Sequence, residues 1–211
     1  MTSDEFRKLL EEQTDLDVLL DPCLRDDQTP YVFEPKPSTW NVFRDELGSG
    51  LDISPADIRI VGSARFGFSM TPGRNLHRFR DSSDIDVIVV NSDRFDELWL
   101  ALLEAAYPRG WAVAELSRQG WLSKRKDEIY TGWLSPREIK LDSTIFGSKA
   151  DPVLRFNTRW FNTLKQASRH PPRRHSDISG RLYRTWRHAE LYHLDGLTAL
   201  QKALARVRST S

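Results

Sequence analysis

The segments DIRIVGSARFGFS (57–69) and SDIDVIVV (83–90) decide how this chain is read. In the first, Ile58, Ile60 and Val61 make a short apolar run that reads as a strand, and Gly62 then lets the backbone turn sharply because no Cβ obstructs it. A phosphate seated at such a turn meets backbone amides and the Ser63 hydroxyl. In the second, the period of two expected for a strand over Ile85 to Val90 places Asp84 and Asp86 on one face and Ile85 and Val87 on the other. Two carboxylates on one face at one strand end repel each other. A divalent cation relieves the repulsion, and Mg²⁺ is commonly held by a carboxylate pair together with substrate phosphate oxygens.

A Gly-Ser turn closing one strand, followed by Asp-x-Asp on the next, resembles the signature of the nucleotidyltransferase superfamily typified by DNA polymerase beta. The resemblance rests on Val61 to Ser69 and on Ser83 to Val90. It implies an α+β fold with a palm of mixed sheet and flanking helices, in which Gly62 and Ser63 hold a triphosphate tail. Asp84 and Asp86 would bind catalytic metal, Mg²⁺ or Mn²⁺, with a third acidic residue from a later strand. Arg65, Ser69, Arg74 and Arg78 are the further nucleotide-binding candidates. The chain departs from the family in one respect: residues 64 to 83 separate the serine from the first aspartate, longer than the usual gap. This predicts an extension of the helix after the Gly-Ser turn or of the loop beyond it.

That extension carries Arg74, His77, Arg78 and Arg80. Lying between the phosphate turn and the carboxylates, these cations are placed to neutralise a triphosphate or a nucleic-acid backbone, although a Pro-Gly loop rich in arginine also suits a plain solvated surface. For the third acidic residue, the stretch Arg137-Glu-Ile-Lys-Leu-Asp142 reads as a short strand with Ile139 and Leu141 on one face and Lys140 and Asp142 on the other. Asp142 is the candidate and Glu138, of the same parity, its rival. Trp111, Trp121 and Trp133 suit either a stacked base or the core, with core the better expectation.

Composition bounds these readings. At 211 residues and 39% hydrophobic, the chain suffices for one globular domain with a helical appendage. We expect a palm with N-terminal helices over 1–150 and a basic helical region over 151–211 packed on it. No apolar run is long enough to span a membrane and Thr2 to Gln13 is charged, so a cytoplasmic protein without membrane contact is expected. Cys23 is the single cysteine, expected as an inert partly buried thiol. The net charge of +1 conceals an asymmetry: residues 151–211 hold 12 Lys and Arg against 4 Asp and Glu, a net of +8, leaving 19 minus 26, or −7, for the rest. An anionic partner on the tail, or mutual neutralisation of the two parts, accounts for it equally.

Elsewhere, Ser3 to Gln13 reads as a capped amphipathic helix and Asp21 to Pro37 as an extended, proline-broken loop. A helix carrying Trp40, Phe43 and Leu47 should begin at Ser38 or Thr39 and stop at Gly48 and Gly50. Another, with Phe95, Leu98, Leu102 and Leu103, should be capped by Ser92 or Asp93. Ala112 to Ala114 suits a strand. Helices are expected from about Val153 to Ser168 and, after Pro171-Pro172, from about Asp177 onward, the latter with Leu182, Trp186, Ala189, Leu191, His193, Leu194, Leu197 and Leu200 in its apolar stripe. Arg181, Arg184 and Arg187 would share a face of that last helix and, with Arg173 and Arg174, be available to phosphates. His188 and His193 read as surface or core residues.

The resulting expectation is a metal-dependent transfer of a nucleoside monophosphate from an NTP or dNTP to an acceptor, with release of pyrophosphate. The pattern also resembles bacterial signal-nucleotide synthases and toxin-type nucleotidyltransferases of antiviral defence, so the acceptors to consider are nucleic acid, an oligonucleotide, a partner or effector protein, or a small molecule. The alternative is a catalytically inactive fold that binds nucleic acid or protein through its basic tail.

Overall fold

The computed structural model describes residues 1–80, 82–106, 127–136, 148, 151–169 and 177–209. Among these, four strands form one mixed sheet: β1 (Ile58–Val61), β2 (Ile85–Val90), β3 (Trp133–Leu134) and β4 (Ile178–Tyr183), in the order β1-β2-β4-β3. β1 runs antiparallel to β2, with Val61 opposite Asp86. β4 runs parallel to β2, with Asp86 beside Ser179 and Ile88 beside Arg181. β3 closes the sheet antiparallel to β4. The helices that accompany it include α1 (Ser3–Glu12), α2 (Ser38–Leu51), α3 (Ser63–Phe66), α4 (Ser92–Ala106), α5 (Asp151–Ala167) and α6 (Trp186–Ser209). The class is α+β.

β2 is covered on both faces, which is why its sequence is an almost unbroken apolar run. Ile85, Val87 and Val89 belong to a core shared with Leu47 of α2, Phe95 and Leu98 of α4, and Trp160 of α5. Ile88 and Val90 point the other way, into a core built with Phe6 and Leu10 of α1 and Ala189, Leu197 and Leu200 of α6. Asp84 and Asp86 share the parity of Ile88 and therefore emerge at the strand's start on the α6 side.

Several expectations are corrected. Asp177 does not open a helix: the next six residues are the strand β4, inserted between β2 and β3, and α6 begins only at Trp186. The sheet is thus completed across the boundary expected at residue 150. Arg181, Arg184 and Arg187 consequently share no helix face, being respectively in β4, at the strand-to-helix junction and in α6. Leu191 is exposed rather than part of the buried stripe. α2 runs through Gly48 and Gly50 to Leu51, because these glycines serve packing instead of termination. A Cβ at Gly50 would lie 2.5 Å from Thr163 Cγ2 of α5, and one at Gly48 2.8 Å from the Ile53 carbonyl. The caps shift as well: Thr2 forms a capping box with Glu5 at α1, and Asn91 accepts from the Arg94 amide at α4. Between α1 and α2 the proline-broken stretch makes short helical turns at Asp21–Arg25 and Tyr31–Phe33.

Cys23 is fully buried, and burial pushes its thiol up to about 12. Two ion pairs join cations of the basic C-terminal part to acids of the remainder, Arg184 to Asp96 and Arg187 to Asp17, while Arg25 to Glu190 has the opposite polarity. Mutual neutralisation thus accounts for part of the charge asymmetry. No described helix is long and apolar enough to cross a membrane. The proposed strands at 112–114 and 137–142, Trp111, Trp121, the break at Pro171-Pro172, Arg173, Arg174 and the acidic candidates Glu138 and Asp142 lie outside the described residues.

Candidate functional site

The two diagnostic segments meet because β1 and β2 are antiparallel neighbours. The end of β1 is therefore beside the start of β2. Gly62 follows Val61 at φ +65°, a conformation that favours glycine, and turns the chain into α3. A Cβ placed there would lie 3.6 Å from Asp86 Oδ2, so the carboxylate rests directly over the turn. Asp84 is exposed and Asp86 half-buried. The Ser179 hydroxyl donates to Asp86 Oδ1, fixing that carboxylate from the neighbouring strand.

Gly62, Ser63, Ser69, Asp84 and Asp86 line one cavity of about 590 Å³. The same cavity receives Arg74, His77, Arg78 and Arg80 from the long insertion. With α3 only one turn long, all the extra length goes into this loop, which folds back on itself: the Ser69 amide donates to His77 O at 2.8 Å and the Phe79 amide to Gly67 O at 2.7 Å. Leu76, at φ +55°, anchors the loop in the core shared with α1. Exposed arginines carried on a pinned loop and facing two carboxylates and a Gly-Ser turn create a site that offers cations to phosphate and oxygens to metal.

Arg65 is a correction. Its side chain is 8% exposed and turns away from the carboxylates, donating from Nε to Pro22 O at 2.8 Å, from Nη2 to Asp26 O at 2.8 Å and from Nη1 to Gln28 O at 3.1 Å. Those three carbonyls use the planar fork of the guanidinium to hold the loop between α1 and α2. It has no place in the cavity.

Sequence reading offered Arg181 to phosphates from a helix face and missed the wall of the cavity to which it belongs. Arg181, Tyr192, His193 and Gly196 also line the cavity, from β4 and α6. The Arg181 guanidinium packs against two aromatic rings that meet edge to face, 5.3 Å from the Trp133 ring centre and 5.1 Å from that of Tyr192. His193 Nε2 is buried with no hydrogen-bond partner, and burial, helped by the positive charge of Arg181, lowers the ring to about 4, which leaves a neutral imidazole at pH 7. Gly196, where a Cβ would meet nothing within 4 Å, keeps that wall open. The signal that could have placed Arg181 is the alternation of Ile178, Gly180 and Leu182 against Ser179, Arg181 and Tyr183.

The donor set fits a hard cation that takes part of its coordination from a substrate: Asp84 and Asp86 stand on one face at one strand end, and the strand beside them presents Ser179 and Arg181 on that face. No group of three potential ligands from His, Cys, Asp and Glu occurs among the described residues. Comparison of the chain with protein-family models, curated proteins and solved structures finds no match.

Proposed function

We propose that the chain is a metal-dependent nucleotidyltransferase with a polymerase-beta-like palm, taking an NTP or dNTP as donor. The observation that carries the reading is the convergence of Gly62, Ser63, Asp84 and Asp86 on one cavity that the arginine-bearing insertion also faces. In this reading the Ser63 hydroxyl and the amides at the start of α3 hold the terminal phosphates, while Arg74, Arg78 and Arg80 neutralise the tail. Asp84 and Asp86 would hold Mg²⁺ or Mn²⁺, and such an ion supplies charge stabilisation at the transferring phosphoryl group and the departing pyrophosphate. Ser179 keeps the Asp86 carboxylate oriented by its hydrogen bond. Asp142 or Glu138 remains the proposed third acidic residue. Signalling or antiviral defence is the proposed setting, in the cytoplasm.

The test is the loop. Neutralising Arg74, Arg78 and Arg80 together, as the triple glutamine variant, should weaken NTP binding at least about tenfold at low salt and flatten its dependence on ionic strength, because exposed charges act through a screened field. Calorimetric titration at several salt concentrations reads both. An unchanged affinity and salt slope would reduce the loop to a solvated surface and remove the triphosphate from this cavity.

The inactive-binder alternative draws less support. Arg184 and Arg187 of its basic tail are engaged in ion pairs to Asp96 and Asp17 of the acidic part, and two adjacent carboxylates facing arginines have no evident use in a site that only grips polyanions.

A further inference from the structure

A second cavity, of about 480 Å³, opens on the α5 side of the sheet where the parallel strands β2 and β4 begin. It shares only Asp84 and Arg181 with the cavity that holds the Gly-Ser turn. Its walls differ in kind from those of the first. Trp160 and Phe161 of α5 stand at it, Trp160 buried and Phe161 43% exposed. Gly180 lets the buried Trp160 ring pack directly on β4, since a Cβ would lie 2.8 Å from Trp160 Cζ2. Ser135 and Asp177 supply hydroxyl and carboxylate oxygens around the same space. A large exposed aromatic ring at a cavity with a few oxygens at the rim matches a planar heterocycle carrying hydroxyl groups.

We infer that this second cavity binds the nucleoside of the acceptor, making the acceptor a nucleotide or the end of an oligonucleotide. The inference rests on the proposed transferase activity and adds its substrate class. A ligand here meets a donor in the first cavity only at Asp84 and Arg181, so its hydroxyl approaches the α-phosphate from the side away from Ser63 and the loop arginines that hold the leaving end. In-line displacement requires that arrangement. The acceptor oxygen forms a bond to the α-phosphorus, the bond from that phosphorus to the bridging oxygen of pyrophosphate breaks, and the hydroxyl proton is released to solvent. Arg181, packed against the rings of Trp133 and Tyr192, is presented to a phosphate on the acceptor from a preorganised position.

The experiment uses the full chain and four probes without phosphate: adenosine, guanosine, cytidine and uridine, titrated by calorimetry or ligand-observed NMR. At least one should bind, tripolyphosphate should leave its affinity within about twofold, and one equivalent of a non-hydrolysable NTP should leave the nucleoside site available. Phe161→Ala should weaken that binding about tenfold, as loss of a stacking ring does, and Phe161→Trp should retain it. In a transfer assay Phe161→Ala should raise the acceptor KM with the donor KM unchanged. Three results overturn the inference: no nucleoside binds the wild-type chain, binding is indifferent to Phe161→Ala, or one equivalent of the NTP abolishes it, the mark of the donor's own base. Transfer unaffected by Phe161→Ala but abolished by Asp84→Ala would overturn this pocket and spare the proposed activity.

Discussion

Asp84→Ala or Asp86→Ala is expected to lower metal-dependent consumption of NTP by at least about a hundredfold, the scale on which loss of one preorganised electrostatic group acts in an active site. Neither change should unfold the chain. Asp84 is exposed and Asp86 half-buried, and removing one of two adjacent carboxylates relieves like-charge repulsion. The two variants should differ in a secondary respect. Asp86→Ala also removes the acceptor of the Ser179 hydroxyl on the adjoining strand, so it should cost roughly 1 kcal/mol more in thermal unfolding than Asp84→Ala. Isothermal titration with Mn²⁺ and a non-hydrolysable NTP should show metal binding weakened in both. Full activity in either variant would sink the assignment of that residue as a metal ligand.

Arg65→Ala should behave in the opposite sense: large in stability and small in nucleotide affinity. Its guanidinium is buried and feeds three main-chain carbonyls, at Pro22, Asp26 and Gln28, and truncation leaves those acceptors without their donors in a closed part of the fold. A loss of about 3 kcal/mol follows, which for a chain of this size lowers Tm by roughly 6–12 °C. Arg65→Lys should recover little of it, because an ammonium cannot present the same planar fork to three carbonyls. NTP affinity, measured below the unfolding transition, should stay within about twofold. An unchanged Tm with tenfold weaker NTP binding would return Arg65 to the nucleotide site.

These two residues mark how far the sequence alone could be read. The Gly62-Ser63 turn and the Asp84-x-Asp86 pair were legible because each depends on local geometry: a positive φ that favours glycine, and a strand parity that puts two carboxylates on one side. Arg65, three residues from Gly62, sits in the same motif, yet its direction is set by carbonyls 37 to 43 positions away, which no local pattern reveals. β4 was hidden for a related reason. Leu182, Trp186, Ala189 and Leu197 fall at spacings that a helix also satisfies, and only pairing with β2 and β3 on both edges makes 178–183 a strand. With that strand misplaced, the Arg181 wall of the site could not be foreseen. Gly48 and Gly50 misled for a third reason: they resemble helix stops, but Gly50 serves close approach to Thr163 of α5, a tertiary fact, and Gly48 makes room for the returning chain at Ile53 and Pro55.

The central claim is that the cavity at Gly62, Ser63, Asp84 and Asp86 transfers a nucleoside monophosphate. Its most direct measurement incubates the purified chain with each labelled NTP and dNTP, with Mg²⁺ or Mn²⁺, in the presence of nucleotide, oligonucleotide and protein acceptors, and follows pyrophosphate release together with product mass. We expect one nucleotide to yield pyrophosphate and an acceptor heavier by one nucleoside monophosphate, only with metal present and not with Asp84→Ala. The absence of pyrophosphate and adduct with every nucleotide, from protein that binds NTP at the arginine loop, would contradict the claim.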